Sequence, residues 1–479
     1  MFTKLLVPLK KKWRSQGISN FIFIDDGIVK SHNHETSLNA VSVIREDLRL
    51  SGFLVNEDKS VWSACQVIEW LGSIVNSSTG IFLPSERRVN KILQDLSFFF
   101  SATDNYFFQV RKVANLVGQI ISLSFFFGDI VYLMTRNLYR SIAQAHSWND
   151  SICLNAASWS DLQFWKDSLL SLPGRCIWHC SKTEGIVYSD ASDSGYAGYV
   201  TEISNSIAHG QWSLEESSMS STWKELEAVK RILLSLKEIL KGKSVKWYSD
   251  SQNVVSIVKK GSSKPVLHQL ALDIFWICSN DSISLEIEWI SRDNNKRADQ
   301  LSRIIDFDDW FINDFAFEYF DHIWGVHTVD RFANVFNKKM TRYNSLLWNP
   351  GCEAIDAFTQ DWKGENNWLV PPVKLIIRVI KHLKECNASG TLIVPFWVTG
   401  VFWPILCPDG AHLASFVHDY RCIERGNTIV MRGRSNNSIF GNDKTYYSIL
   451  ALRISFELAP NQNLICTKKL RNQFCFLCG

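Results

Sequence analysis

The clearest hydrophobic patterning lies in two short runs. Ile186-Val187-Tyr188 is apolar and aromatic and passes into Ser189-Asp190-Ala191-Ser192; Val245-Lys246-Trp247-Tyr248 passes into Ser249-Asp250-Ser251 in the same way. Both predict short strands with polar bounds, each with an Asp where the strand stops. If the strands run parallel, both Asp reach one sheet edge, and in open α/β sheets the carboxyl edge is where ligands bind. Between them, Ser221-Thr222-Trp223-Lys224-Glu225 opens a helical pattern with Leu226, Val229, Leu233, Leu236 and Leu240 at three- and four-residue steps. That places Glu225 in the first turn. Asp299 follows a strand pattern over 283–290 and begins a short helical pattern after Asn294-Asn295-Lys296-Arg297-Ala298.

Each of these acids has an ordinary reading. Glu225 fits the N3 place of a capping box with Thr222, Asp190 and Asp250 fit turn or helix caps, and Asp299 fits a solvated helix acid. The joint pattern of strand Asp, helix Glu, strand Asp and helix Asp changes the picture. Bare carboxylates about 4 Å apart repel by about 4 kcal/mol at an effective dielectric of about 20. Four ionised together need a cation; oxygen-only ligands suit Mg²⁺ or Mn²⁺, and a two-ion site suits in-line displacement at a phosphodiester.

Tyr188-Ser189-Asp190-Ala191-Ser192, Trp223-Lys224-Glu225-Leu226, Tyr248-Ser249-Asp250 and Asn295-Lys296-Arg297-Ala298-Asp299 resemble the ribonuclease H domain of retroelement polyproteins, over 184–305. The resemblance implies that Asp190, Glu225, Asp250 and Asp299 bind metal and cut the RNA strand of an RNA–DNA hybrid. It also implies that Asn295 shapes the substrate-side loop. Many members carry a His on the loop before the last Asp; here Ser291-Arg292-Asp293-Asn294 stands in its place.

Upstream, Phe21-Ile22-Phe23-Ile24-Asp25-Asp26-Gly27-Ile28-Val29 is a hairpin signal centred on Asp-Asp-Gly. A helix pattern over 37–50, then Gly52-Phe53-Leu54-Val55-Asn56 with Lys59, and Ile68-Glu69-Trp70-Leu71-Gly72 follow in an order that resembles the later half of a reverse-transcriptase palm. That resemblance implies Asp25 and Asp26 as metal ligands and Trp70 and Gly72 as primer contacts. A further palm carboxylate and the fingers are not among the residues before Asp25, so this chain is expected not to polymerise, and to be the later portion of a longer polyprotein or a decayed genomic copy. Segments 84–101 and 106–145 predict two thumb or connection helices, and a Trp-rich stretch over 148–178 leads to Pro173-Gly174 as a boundary.

Beyond an acidic aromatic linker, Asp306-Phe307-Asp308-Asp309-Trp310, the residues Val329-Asp330-Arg331-Phe332-Ala333, Asp356-Ala357-Phe358 with Asp361-Trp362, and Pro371-Pro372 before a helix resemble the adenine-methyltransferase-like domain of DIRS-type retrotransposons. In active members a polar residue precedes the two prolines and an aromatic follows them. Val370 and Val373 stand there instead, which argues against S-adenosylmethionine chemistry and for a structural or nucleic-acid-binding role, with Asp330, Pro371 and Pro372 as the motif that remains; the prolines also suit a helix start.

The expected fold is multidomain α/β and α+β: a truncated palm over 1–83, thumb or connection helices over 84–175, a ribonuclease H-like mixed sheet with flanking helices over 184–305, a methyltransferase-like α/β domain over 326–410, and a tail over 411–479 with Arg421, Arg425, Arg432 and Arg434 that packs on the preceding domain. Length and composition agree: 479 residues allow about three domains, and 46% hydrophobic with 21% charged residues is ordinary for globular protein. A net charge of +3 does not by itself announce nucleic acid, although Lys10-Lys11-Lys12 and Lys259-Lys260 offer phosphate contacts. Cys475-Phe476-Leu477-Cys478 alone is weak for zinc. No secretory pattern is read, so reduced thiols and an intracellular place, cytoplasmic or nuclear, are expected. The expected partners are RNA–DNA hybrid or other nucleic acid and the upstream part of the polyprotein, with no membrane.

Overall fold

The computed structural model describes residues 2–101, 107–177, 182–304, 310–425, 429–432 and 447–457. Most of the linker 306–310, Trp178, Arg434 and the Cys475/Cys478 pair therefore lie outside the described residues. The protein is mixed α/β and multidomain, and its contacts divide it into two units, 1–181 with 259–263, and 182–258 with 264–479. Among the described residues no helix is long and apolar enough to cross a membrane.

In the first unit, strands Ser19–Phe23 and Asp26–Lys30 form the expected hairpin, but its turn is Ile24-Asp25 rather than Asp-Asp-Gly. Phe21 pairs with Ile28 and Phe23 with Asp26, so Asp26 and Gly27 are strand residues and Ile24 takes the positive φ of 55°. The helix expected over 37–50 spans His34–Leu50. Strands Val67–Trp70, Ser73–Asn76, Ile81–Pro84 and Arg175–Cys176 form an antiparallel sheet, so a boundary after residue 83 would cut through it. Leu71 and Gly72, both at positive φ, make its first turn.

The single helix expected over 106–145 is instead a short strand, Phe107–Gln109, and four helices: Val110–Ile121, Ser124–Phe127, Ile130–Leu133 and Arg136–Ala143. The first helix keeps a regular apolar stripe, burying Val110, Val113, Leu116, Val117 and Ile120, and ends at its C-cap, Ser122. Gly128, at φ 70°, ends the second helix, and the pieces bury Val113, Leu116, Val131 and Leu138.

The second unit begins with a mixed sheet. Strands β1 (Gly185–Ala191), β2 (Gly195–Val200), β3 (Ile207–Gln211), β4 (Ser244–Ser249) and β5 (Ser284–Trp289) lie in the order β3-β2-β1-β4-β5. The first three are antiparallel neighbours, and β1, β4 and β5 run parallel. Val187 and Trp247 face a core made with helices α1 (Ser221–Ser235) and α2 (Pro265–Asn280), which contribute Leu226, Val229, Leu233 and Ile274. The helix sits close because β2 carries Gly198 beneath it; a Cβ there would lie 2.7 Å from Ile232 Cδ1 and 2.9 Å from the Tyr188 carbonyl. Along β1 and β4 the alternate positions bear Tyr188 and Tyr248, which pair across the two strands, and Tyr188 also stacks on Tyr199 of β2 at 5.4 Å. Two residues further on come Asp190 and Asp250.

The outer edge of β3 does not end in solvent. The Trp348 amide donates to the Ile207 carbonyl at 3.0 Å, the His209 amide donates to the Trp348 carbonyl at 3.1 Å, and Asn349 Nδ2 donates to the His209 carbonyl at 3.1 Å. Trp348 belongs to the second half of the unit, built on strands β6 (Val329–Asp330), β7 (Asn366–Leu369), β8 (Ser389–Pro395), β9 (Val417–Ile423) and β10 (Ile449–Ser455), in the order β6-β7-β8-β10-β9. β6, β7 and β8 are parallel, and β10 runs antiparallel between β8 and β9. Two of the five strands thus come from beyond residue 410, where the tail had been placed. One face packs a helix over Ile376–Glu385, the other a helix over Asp314–Trp324, with Phe320 and Trp368 fully buried.

Candidate metal centre

The site forms where β1 and β4 end together. Because these strands are parallel and in register from Val245 opposite Gly185 to Tyr248 opposite Tyr188, Asp190 and Asp250 come off neighbouring strand ends. Glu225 enters from α1. Ser220, not Thr222, caps that helix by accepting from the Trp223 amide at 3.3 Å. Glu225 is therefore the fifth helical residue, past the first turn, and is not a capping-box partner. That position aims it at the sheet edge: ligand oxygens of Asp190, Glu225 and Asp250 all lie within 4.8 Å of one another. Among the described residues this is the group of three acidic, His or Cys side chains close enough to share an ion.

The three behave electrostatically as a strained set. Asp190 is 4% exposed, and burial pushes its pKa up, opposed by the Ser302 hydroxyl and reinforced by Asp250 and Asp299. Burial, then Asp190 and Asp250, push Glu225 well above its ordinary value. Burial also raises Asp250. Glu225 Oε2 is buried with no hydrogen-bond partner. An orphaned carboxylate oxygen beside two other acids is costly unless a proton or a cation meets it. This donor set fits a hard divalent ion such as Mg²⁺ or Mn²⁺.

A pH dependence follows. Acids with raised pKa hold their protons more tightly when folded, so they oppose folding once the pH passes their unfolded values, here about 4.5 for Glu225. In divalent-free buffer, Glu225→Gln should therefore melt higher than wild type at pH 7, by about 1 kcal/mol or ~2–4 °C, and the gap should close toward pH 4. A variant that melts lower at pH 7 would contradict this account of the site.

Asp299 lies on helix α3 (Lys296–Ser302) but outside the group of three. Arg303 donates to it from Nε at 3.1 Å and Nη2 at 2.7 Å, and Arg292 Nη2 donates at 2.9 Å. The Arg303 hydrogen bonds, with those of Arg292, hold Asp299 below the usual carboxylate range. α3 still serves the site, since Ser302 Oγ donates to Asp190 Oδ2 at 2.6 Å. Ser302 had no signal of its own in the sequence; Arg303 had one, the i,i+4 spacing from Asp299.

Asn295, expected to shape the substrate-side loop and bind there, is 1% exposed, and its Nδ2 donates to the Ser189 carbonyl at 2.9 Å, pinning the start of α3 beneath β1. Asn295→Ala should cost about 1–3 kcal/mol by leaving that carbonyl unpaired. The loss would read in the melting temperature, and an unchanged one would refute the contact.

The other expected residues lie elsewhere. Asp25 and Asp26 are exposed on the first unit's hairpin and join no described group of three. Trp70 ends a strand, its Nε1 buried without a partner, and Gly72 gives its carbonyl to the Ser85 amide at 3.1 Å. Asp330, 3% exposed, spends its carboxylate on the amides of Phe332 and Lys339, and burial raises its pKa to about 7. The Pro371 carbonyl accepts from Trp310 Nε1 at 3.0 Å, and Pro372 precedes a turn over Val373–Leu375 that leads into the helix over Ile376–Glu385. A cavity of about 690 Å³ opens beside the end of β7, lined by Arg331, Phe358, Val370, Pro372 and, from β3, His209.

A site of clustered acids with an unpartnered carboxylate oxygen is the kind that suits a hard divalent cation. The family described as reverse transcriptase-like matches residues 187–304, the stretch that bears all four acids. No curated protein matches the chain. Among solved structures, the foamy viral protease-reverse transcriptase in complex with double-stranded DNA is 14% identical at a TM-score of 0.32 and covers 60% of this chain. This chain spans 48% of the length of that one. LC11-RNase H1 in complex with an RNA/DNA hybrid, from a compost metagenome, is 21% identical at a TM-score of 0.22, covering 25% of this chain and 93% of its own. RNase H1 of the halophilic archaeon Halobacterium salinarum is 16% identical at 0.21, covering 24% and 92%.

Proposed function

We propose that residues 184–305 form a ribonuclease H-type nuclease that cuts the RNA strand of an RNA–DNA hybrid with Mg²⁺ or Mn²⁺. The observation that supports this most directly is the convergence of Asp190, Glu225 and Asp250 within 4.8 Å around an unpartnered Glu225 oxygen. Divalent ions held there would supply activation of water and neutralisation of the leaving oxygen. The chain's own residues do the rest: β1 and β4 fix two carboxylates, α1 brings the third, and Ser302 holds one Asp190 oxygen and so fixes that side chain. A hybrid would be recognised through its shape and 2′-hydroxyls. The test is cleavage of an end-labelled hybrid by the full chain with Mg²⁺ and with EDTA. Cutting that requires the metal and spares double-stranded DNA supports the reading, and a folded chain that cuts nothing overturns it.

For the second half of this unit we propose a structural role in place of methyl transfer. Val370 is buried, Asp330 is consumed by backbone amides, and Pro371 anchors Trp310. Equilibrium dialysis with labelled S-adenosylmethionine should show no saturable binding; saturable binding would restore the methyltransferase reading and make the cavity its seat.

A further inference from the structure

The fourth acid of the nuclease reading is not free to join the other three. Asp299 receives three hydrogen bonds from two guanidinium groups, and both of its oxygens are engaged. Arg303 is placed for this by helical spacing, four residues on. Arg292 comes from the turn over Arg292–Asn294, the loop where the resembled family often has His. The two arginine side chains are 70% and 54% exposed, against 23% for Asp299, so they reach over the carboxylate from the solvent side. Guanidinium forks match carboxylate geometry and carry the charge that a second divalent ion would otherwise bring.

We infer that Arg292 and Arg303 act as positioning residues that hold Asp299 out of the metal site, so that the free protein takes one divalent ion and the second site stays weak until the arginines move. The inference rests on the nuclease reading. The pairs are partly exposed and therefore of modest strength, which suits a clamp that a nucleic-acid phosphate can draw open. A phosphodiester approaching the three acids would offer the arginines a second anion. Asp299 would then be released at the moment the second ion is needed.

The test counts bound Mn²⁺ by the loss of its free electron-paramagnetic-resonance signal, using the full chain without nucleic acid. Wild type should titrate as one site. In Arg292→Gln/Arg303→Gln a second site should appear, roughly tenfold tighter than any second site in wild type, the size expected from losing two partly exposed ion pairs. Adding Asp299→Asn to that variant should remove it again. Both arginines are surface residues, so the variants should stay folded and melt only a few degrees below wild type. Two equal sites in wild type, or one site in the double variant, would overturn the inference and leave the nuclease reading standing. No Mn²⁺ binding by folded wild type would overturn the nuclease reading, and this inference with it.

Discussion

Asp250→Asn should abolish divalent-dependent cleavage of a labelled hybrid, with a loss of roughly 10²- to 10³-fold, the usual cost of removing one preorganised charge partner of a transition state. The substitution keeps the shape of the side chain and removes a charge facing Asp190 and Glu225, whose own pKa values the Asp250 charge raises. Stability in metal-free buffer should therefore hold or rise while activity falls. That opposite movement separates a ligand from a structural residue. Rates and melting curves measured together decide it: cutting at the wild-type rate would remove Asp250 from the site, and a lower melting point would make it structural.

The largest expected effect on stability is at Trp247. Its ring is fully buried in β4, and its Nε1 donates to Ser189 Oγ of β1 at 2.8 Å; Ser189 stands one residue before Asp190 and Trp247 three before Asp250. Trp247→Ala should cost about 3–5 kcal/mol through the cavity it leaves, and it strands the Ser189 hydroxyl as well. A chain of several folded parts need not unfold in one step. The transition to follow is the one that Mg²⁺ raises, since it contains the site. Trp247→Phe should recover much of the loss; a cost below about 1 kcal/mol for the Ala variant would mean that the two strands are not held together here.

The sequence made β1 and β4 legible because both are short, bounded by polar residues and stop at acids, and α1 because it keeps a regular apolar stripe; β2 and β3 were not legible. The parallel pairing of β1 and β4 is allowed by the long connection between them, which carries β2, β3 and α1. What the sequence hid is long-range or shape-dependent. Ser302 meets Asp190 across 112 residues, and Asn295 meets Ser189 across 106, and no local pattern records either contact. The breaks between the helices after Val110 were unreadable because residues 113–128 carry neither a proline nor a charge to mark them. Strands β9 and β10 escaped notice for a different reason: they are separated by Gly- and Asn-rich sequence, and pairing, not local propensity, makes them part of the sheet.

The strand-like segment at Trp348 lends its amide and carbonyl to β3, which would otherwise be an open edge able to pair with another chain. Losing the C-terminal half would therefore expose the sheet of β1 to β5 to self-association. A region with the structural role proposed above would in this way be kept by natural selection, as a permanent chaperone for its neighbour.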